Sequence, residues 1–224
     1  MEWSNDKSQS EIFLESEGDA WFSRNRDQLE SINASTVDVD FITNCLKPFI
    51  GSVENILEIG CGSGGKVERL ANYFGATGFG IDPSQLAISE AHKLAGRSEE
   101  RLNFEVGLAT DLPFPDGMFD IVFFGFCLYL ISPHETYRAI SEAERILKNG
   151  GFMVILDFDY GSLKVNPYKH APGLFSYKNS YSEIFMASGY YSLVSKWSFS
   201  LASGYFSEDR EERISIEVLY KELP

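Results

Sequence analysis

The chain is 224 residues long, with 19 Lys plus Arg against 33 Asp plus Glu and a formal charge of −14. That length suits one domain with a small appendage, and a core of that size needs no disulfide or metal staple. The charge argues against nucleic acid and against anionic membranes, which take their affinity from clustered Lys and Arg. The densest basic cluster, Arg24-Asn25-Arg26, is flanked by Asp19 and Asp27.

Cys45, Cys61 and Cys127 are odd in number and far apart, matching neither a zinc spacing nor a secreted disulfide scaffold. Met1-Glu2-Trp3-Ser4 lacks the basic and apolar regions of a signal peptide. The longest apolar run, Ile121 to Ile131, falls short of the roughly 20 residues a membrane helix needs. The expected setting is the cytoplasm, without membrane contact.

Glu11 to Leu29 carries Leu14 and Trp21 at helical spacing with Gly18 between them, which predicts one helix or two. Val39, Ile42, Leu46 and Phe49 mark a further helix, closed by Pro48 and Gly51. Asn55 to Ile59 is a short apolar strand running into Gly60-Cys61-Gly62-Ser63-Gly64-Gly65. Val67, Leu70, Ala71 and Phe74 then form one face of a helix that Gly75 ends. Thr77 to Asp82 is the next strand, and Pro83-Ser84 opens a helix with Ala87, Ala91 and Leu94 inward. Leu102 to Val106 and Asp120 to Phe124 are the third and fourth strands, the latter apolar on both faces as a central parallel strand should be. Ser132-Pro133-His134-Glu135 predicts a helix start with a capping box, and Lys148 to Gly151 its end. Phe152 to Phe158 is the fifth strand; Tyr190 to Phe199 and Ile214 to Tyr220 predict a closing antiparallel pair. The order implies an α/β, doubly wound, mostly parallel seven-stranded sheet with N-terminal helices, binding its ligand at the strands' carboxyl ends.

The glycine loop allows a sharp turn and close approach of a ligand to the main chain. Asp82, 22 residues after Gly60 at the end of the next strand, can accept both hydroxyls of a ribose. Gly60-x-Gly62-x-x-Gly65 alone fits a dinucleotide fingerprint, so a nicotinamide oxidoreductase is one reading. Glu58 with Gly60, Gly62 and Gly64 gives Glu-x-Gly-x-Gly-x-Gly instead. With it, the chain resembles class I S-adenosylmethionine-dependent methyltransferases. Ile56 to Gly64 is similar to their first motif and Gly80-Ile81-Asp82-Pro83-Ser84 to their second. Leu112 to Val122 is similar to the stretch entering their fourth strand, and Leu147 to Phe152 to the turn before their fifth.

The resemblance implies a Rossmann-like methyltransferase fold over residues 51–224, with residues 1–50 as a helical segment covering the cofactor. It implies S-adenosylmethionine as cofactor and S-adenosylhomocysteine as product. Gly60, Cys61 and Gly62 would line the methionine and ribose, Asp82 would hold the ribose and Pro83 would lie on adenine. Glu58 would order the loop or touch the cofactor, and Trp21 would cover it. Arg24 or Arg26 would pair with the methionine carboxylate. Where relatives carry an acid for the adenine amino group, this chain has Leu108, with Ala109 beside it. That departure weakens the adenine assignment and gives footing to a second reading, a nucleoside-binding module without catalysis.

Methyl transfer is an in-line displacement that needs no metal. An alcohol acceptor calls for a base, and His134 and His170 are the candidates. The Tyr-rich insertion at about 159–189 is the expected acceptor side, with Tyr129, Tyr160, Tyr168 and Tyr177 as substrate contacts. Asp157 or Asp159 could bind an amine or act as a base, and Lys169, His170 and Lys178 form a local basic group. The expected activity is methyl transfer to an O or N atom of a small polar metabolite, such as a sugar or natural-product intermediate, by a monomer or homodimer.

Overall fold

Strands β1 (Asn55–Ile59), β4 (Phe119–Gly125) and β5 (Leu147–Phe158) sit in the middle of the sheet, where both faces are covered. Ile56, Leu57, Val122, Phe123 and Val154 are fully buried there, which is why their sequences run apolar without alternation. The computed structural model describes residues 7–34, 37–49, 51–96 and 100–223, with side chains of 28–34 not described.

With β2 (Thr77–Asp82), β3 (Leu102–Val106), β8 (Tyr191–Ser200) and β9 (Arg213–Lys221), the strand order is β3-β2-β1-β4-β5-β9-β8. Neighbours from β3 to β5 are parallel, and β9 runs antiparallel to both β5 and β8. Helices α3 (Val37–Leu46), α4 (Gly65–Phe74) and α5 (Gln85–Ala95) pack one face through Ile42, Leu46, Val67, Leu70 and Ala91. The other face takes α6 (Pro133–Ile146) and α7 (Ser182–Ala187) through Ala139, Ala143, Ile146 and Phe185.

The N-terminal segment follows one helical path: α1 (Gln9–Ile12), a π-helical turn (Phe13–Glu17) and α2 (Gly18–Ala34). Gly18 is required at the bend, because a Cβ there would lie 2.7 Å from the Phe13 carbonyl oxygen and 3.2 Å from the Ser84 nitrogen.

Four expectations are corrected. Leu94 is 61% exposed, because α5 turns only Ala87, Ile88, Ala91 and Ala95 inward. Ser132 is the N-cap of α6, but its hydroxyl donates to the Glu135 carboxylate at 2.8 Å and caps no backbone N–H. α6 stops at Ile146, and Lys148 to Gly151 belong to the irregular first part of β5: the register with β4 shifts between Phe119↔Leu147 and Ile121↔Phe152. The insertion is no plain loop: β6 (Lys164–Pro167) and β7 (Phe175–Lys178) form an antiparallel hairpin of their own.

Candidate active site

β1 and β4 are adjacent, but the chain crosses to opposite sides after them, leaving a crevice at their carboxyl ends. The crevice holds about 1060 Å³ of empty space, its open mouth included. Trp21, Glu58, Gly60, Cys61, Gly62, Asp82, Pro83, Leu108 and Ala109 all line it. Phe13 and Trp21 cover it from the N-terminal helices, and Phe126 and Cys127 bound it beyond β4.

The loop geometry follows from its glycines. Gly60 has φ of 75° and lies so close to Cys127 that a Cβ would sit 2.6 Å from the cysteine Cβ. The Gly60 and Cys61 amides both donate to the Ile81 carbonyl, at 2.8 and 3.1 Å, tying the loop to β2. At Gly62 (φ 53°) a Cβ would meet nothing within 4 Å, so the main chain there fronts open space.

Asp82 Oδ2 accepts the Gly62 N–H at 2.9 Å and Oδ1 accepts the Ser84 N–H at 2.8 Å. Each oxygen keeps a lone pair for a ligand hydroxyl. Burial pushes this carboxyl up to about 6 against the pull of those two amides. Glu58 Oε2 accepts the Val67 N–H at 3.1 Å, ordering the first turn of α4. Burial drives Glu58 up to about 8, with Lys66 and the Val67 amide opposing. The Cys61 and Cys127 thiols are pushed well up by burial and neighbouring acids, so both stay protonated packing groups.

The acceptor-side candidates are spread more widely. Tyr129 N–H donates to Asp157 Oδ2 at 3.2 Å, and burial pushes its phenol up, with the neighbouring Trp21 side chain opposing. Tyr168 donates to Glu17 Oε1 at 2.9 Å and receives Arg24 at 3.0 Å, and burial pushes its phenol up to about 12. Its ring stands 6.0 Å from Phe13. Tyr160 faces away, donating to Glu211 at 3.1 Å under the Lys164 ammonium. Tyr177 and His134 line a second pocket on the far side of α1, beside Gln9 and Ile12. His170 is exposed at the hairpin tip, its ring 5.5 Å from Tyr168. Neither imidazole lines the cleft.

Asp157 is buried and accepts the Phe158 and Tyr129 amides; burial lifts it to about 7. Asp159 is a strand anchor: despite burial, Ser198, Lys196 and Arg213 hold its carboxyl below the usual range. Lys178 sits at the hairpin base on Glu211, three register pairs from the tip that carries Lys169 and His170, so the expected basic group does not form. Arg24 pairs with Glu17, and Arg26 with Glu90 on α5 at 2.6 Å; neither lines the cleft. Asp111 is exposed and outside the cleft.

Sequence reasoning missed Lys66, Phe13 and Phe126, all of which line the cleft. Phe126 is the one described non-glycine residue with positive φ, 54°. Its position immediately after Gly125 at a switch-point strand end is the signal that marks it.

A nicotinamide-type sheet continues parallel beyond its fifth strand. Here β9 is reversed and inserted between β5 and β8. That order, with a glycine loop after β1 and a ribose-competent acid after β2, defines the Rossmann-like methyltransferase fold. Residues 57–155 match the family model of the methyltransferase domain. The chain is 34% identical to ajmaline N-methyltransferase of Rauvolfia serpentina over 46% of its own length and 35% of the relative's. It is 32% identical to demethylmenaquinone methyltransferase of Tropheryma whipplei over 51% and 46%. The chain spans between 20% and 47% of the length of the first curated relatives it matches.

Among solved structures, Burkholderia thailandensis 1,6-didemethyltoxoflavin-N1-methyltransferase, with its acceptor and S-adenosylhomocysteine bound, superposes with a TM-score of 0.73 at 14% identity over 100% of this chain and 94% of its own. A Methanosarcina mazei S-adenosylmethionine-dependent methyltransferase gives 0.62 at 23%, covering 80% and 97%. Residues 57–155 thus match a methyltransferase domain within a sheet that has the fold of S-adenosylmethionine-dependent methyltransferases, and S-adenosylmethionine is the cofactor of that kind of domain. The donor set fits it: a doubly held carboxylate for a ribose and open space over Gly62. Among the described residues, no helix is long and apolar enough to cross a membrane.

Proposed function

We propose that this chain methylates a nitrogen or oxygen atom of a small, ring-bearing metabolite in the cytoplasm. The observation that carries the reading is the ring-lined wall of the cleft. Phe13 and Trp21 come down from the N-terminal helices and Phe126 follows β4, with Tyr129 beside Trp21 and Tyr168 packed on Phe13. Such a wall presents flat apolar faces with polar tips to a planar acceptor. Among the similar proteins, one is named for N-methylation of ajmaline and one for N1-methylation of 1,6-didemethyltoxoflavin.

Bound S-adenosylmethionine supplies a sulfonium methyl already activated for displacement. The protein's part is alignment and exclusion of water. Asp82 takes the ribose hydroxyls, Gly60, Cys61 and Gly62 border the methionine–ribose span, and Pro83, Leu108 and Ala109 frame the adenine. Glu58 holds the loop in place, and Trp21 closes the acceptor side. A nitrogen acceptor brings its own lone pair and needs no base in the cleft. The placement of His134 and His170 outside the cleft favours nitrogen over an alcohol.

The test is calorimetric titration with S-adenosylmethionine and with NAD, followed by methyl-label transfer to a panel of planar N-heterocycles, phenols and sugars. Tight S-adenosylmethionine binding with label on an N-heterocycle is expected. NAD binding without S-adenosylmethionine binding sinks the reading. Cofactor binding with no transfer to any acceptor supports a non-catalytic nucleoside-binding module instead.

A further inference from the structure

Lys66 stands on the first turn of α4 with only 8% of its side chain exposed, and it lines the cofactor cleft. Its one ion pair is loose: the ammonium is 3.8 Å from Asp38 Oδ2, too long for a hydrogen bond. The other Asp38 oxygen is taken by the Val39 amide at 2.8 Å, and Glu58 Oε2 by the Val67 amide. Among the described residues no hydrogen bond engages the Lys66 ammonium. With one loose ion pair, an ammonium that borders the cleft has donors left for a ligand that enters it.

The ligand supplies what is missing. The methionine moiety carries one carboxylate, and it must enter a chain of formal charge −14 through a cleft that already holds Glu58 and Asp82. Lys66 is the single Lys, Arg or His among the described residues lining that cleft. It is the second residue of α4, four positions after Gly62 at the end of the glycine loop, where the amino-acid end would follow once Asp82 holds the ribose. Arg24 and Arg26, the two cations on the covering helix α2, are committed to Glu17 and Glu90. We propose that Lys66 holds the carboxylate of the bound S-adenosyl amino acid, so that the cleft distinguishes S-adenosyl amino acids from nucleosides lacking that group. This rests on the methyltransferase reading above.

Three probes separate the possibilities: S-adenosylhomocysteine, S-adenosyl-3-thiopropylamine, which lacks only the carboxylate, and 5′-methylthioadenosine, which lacks the whole amino-acid end. Wild-type protein should bind the first about 10- to 100-fold more tightly than the second, the value of a charge-assisted hydrogen bond. Lys66→Met should erase that difference and leave the affinity for 5′-methylthioadenosine within about threefold, while Lys66→Arg should retain part of it. A wild type that binds the first two probes equally overturns the proposal without any variant. So does a Lys66→Met protein that weakens all three alike, which is the mark of a structural counter-ion to Asp38. A wild type that binds none of the probes overturns the cofactor reading itself.

Discussion

Asp19 accepts the Ser84 hydroxyl at 2.7 Å, and the same oxygen accepts the Leu86 amide at 2.9 Å. Ser84 in turn takes the Ala87 amide at 3.0 Å. Acid and N-cap together satisfy the open end of α5, and in doing so they bond the covering helix α2 to the residues that follow Asp82. The N-terminal helices are therefore docked on the cofactor motif itself. A further clasp lies at Gln9, whose amide donates to the Phe175 carbonyl at 2.8 Å and accepts the Phe175 N–H at 3.0 Å.

Asp19→Ala should release part of this cover at a cost of about 1–2 kcal/mol, the usual range for a lost cap. Hydrogen exchange should rise across residues 9–27 while β1 and β4 stay protected, and cofactor affinity should drop several-fold. Unchanged exchange in the N-terminal helices would show that the bond to Ser84 does not hold them.

Asp82 leads to a pH-dependent prediction for the ligand. Hydroxyl donors favour its ionised form, and burial has raised it to about 6. Affinity for S-adenosylhomocysteine should therefore weaken as pH falls through about 6. Asp82→Asn should bind at least tenfold more weakly at pH 7.5 and show a flatter profile below it. Calorimetry between pH 5 and 8 checks both, and a variant with wild-type affinity removes the ribose assignment.

The elements that build this site were legible where local physics decides them. The apolar run of β4, the turn-forming glycines and the spacing from Gly60 to Asp82 each force a strand, a loop or a carboxylate into place. What was not legible depends on tertiary partners. Arg24 finds Glu17 and Tyr168, and Arg26 finds Glu90, so both charges point away from the cleft they were expected to serve. Lys66 looks like an ordinary charge on an amphipathic helix until Asp38 and Glu58 close around it. The β6–β7 hairpin has strands of only four residues each, half-buried or exposed throughout, so no buried face marks it in the sequence.

That hairpin backs the wall of the cleft through its tip, residues 168–174, where Tyr168 packs on the cleft-lining Phe13. Replacing the tip with a short Gly-Asn turn should raise the acceptor KM about tenfold or more, the scale of one lost aromatic contact. S-adenosylhomocysteine affinity should change less than threefold. Equal losses on both would assign the hairpin a purely structural role.

Gly64→Ala tests the loop's packing. A Cβ at this position would lie 2.4 Å from the Phe104 ring, and φ is 79°. The clash and the left-handed backbone together should cost about 2–4 kcal/mol, read as a lower denaturation midpoint. Adding Phe104→Leu should restore the part due to the clash and leave the backbone part. Full restoration would mean that backbone strain contributes nothing.

Stability should pass through a maximum near pH 4. Glu58, Asp82 and Asp157 have folded values of about 8, 6 and 7, all raised by burial above their ordinary carboxylate range. The folded state then binds protons more tightly than the unfolded chain. The stability these groups contribute is full below about pH 4 and is lost as pH rises through 6 to 8. Asp159 and Glu142 are shifted the other way: Asp159 is lowered despite burial by Ser198 and Lys196, Glu142 chiefly by its bond to Arg145. Their contribution is present above about pH 4.5 and is lost below it. The ligand-free protein should therefore melt at a lower temperature at pH 8 than at pH 5. Glu58→Gln keeps an acceptor for the Val67 amide but removes the group with the highest of these values. The decline from pH 5 to 8 should be shallower in that variant. A midpoint that climbs steadily from pH 5 to 8 would show that the buried acids ionise without cost, and that the folded state holds no extra protons there.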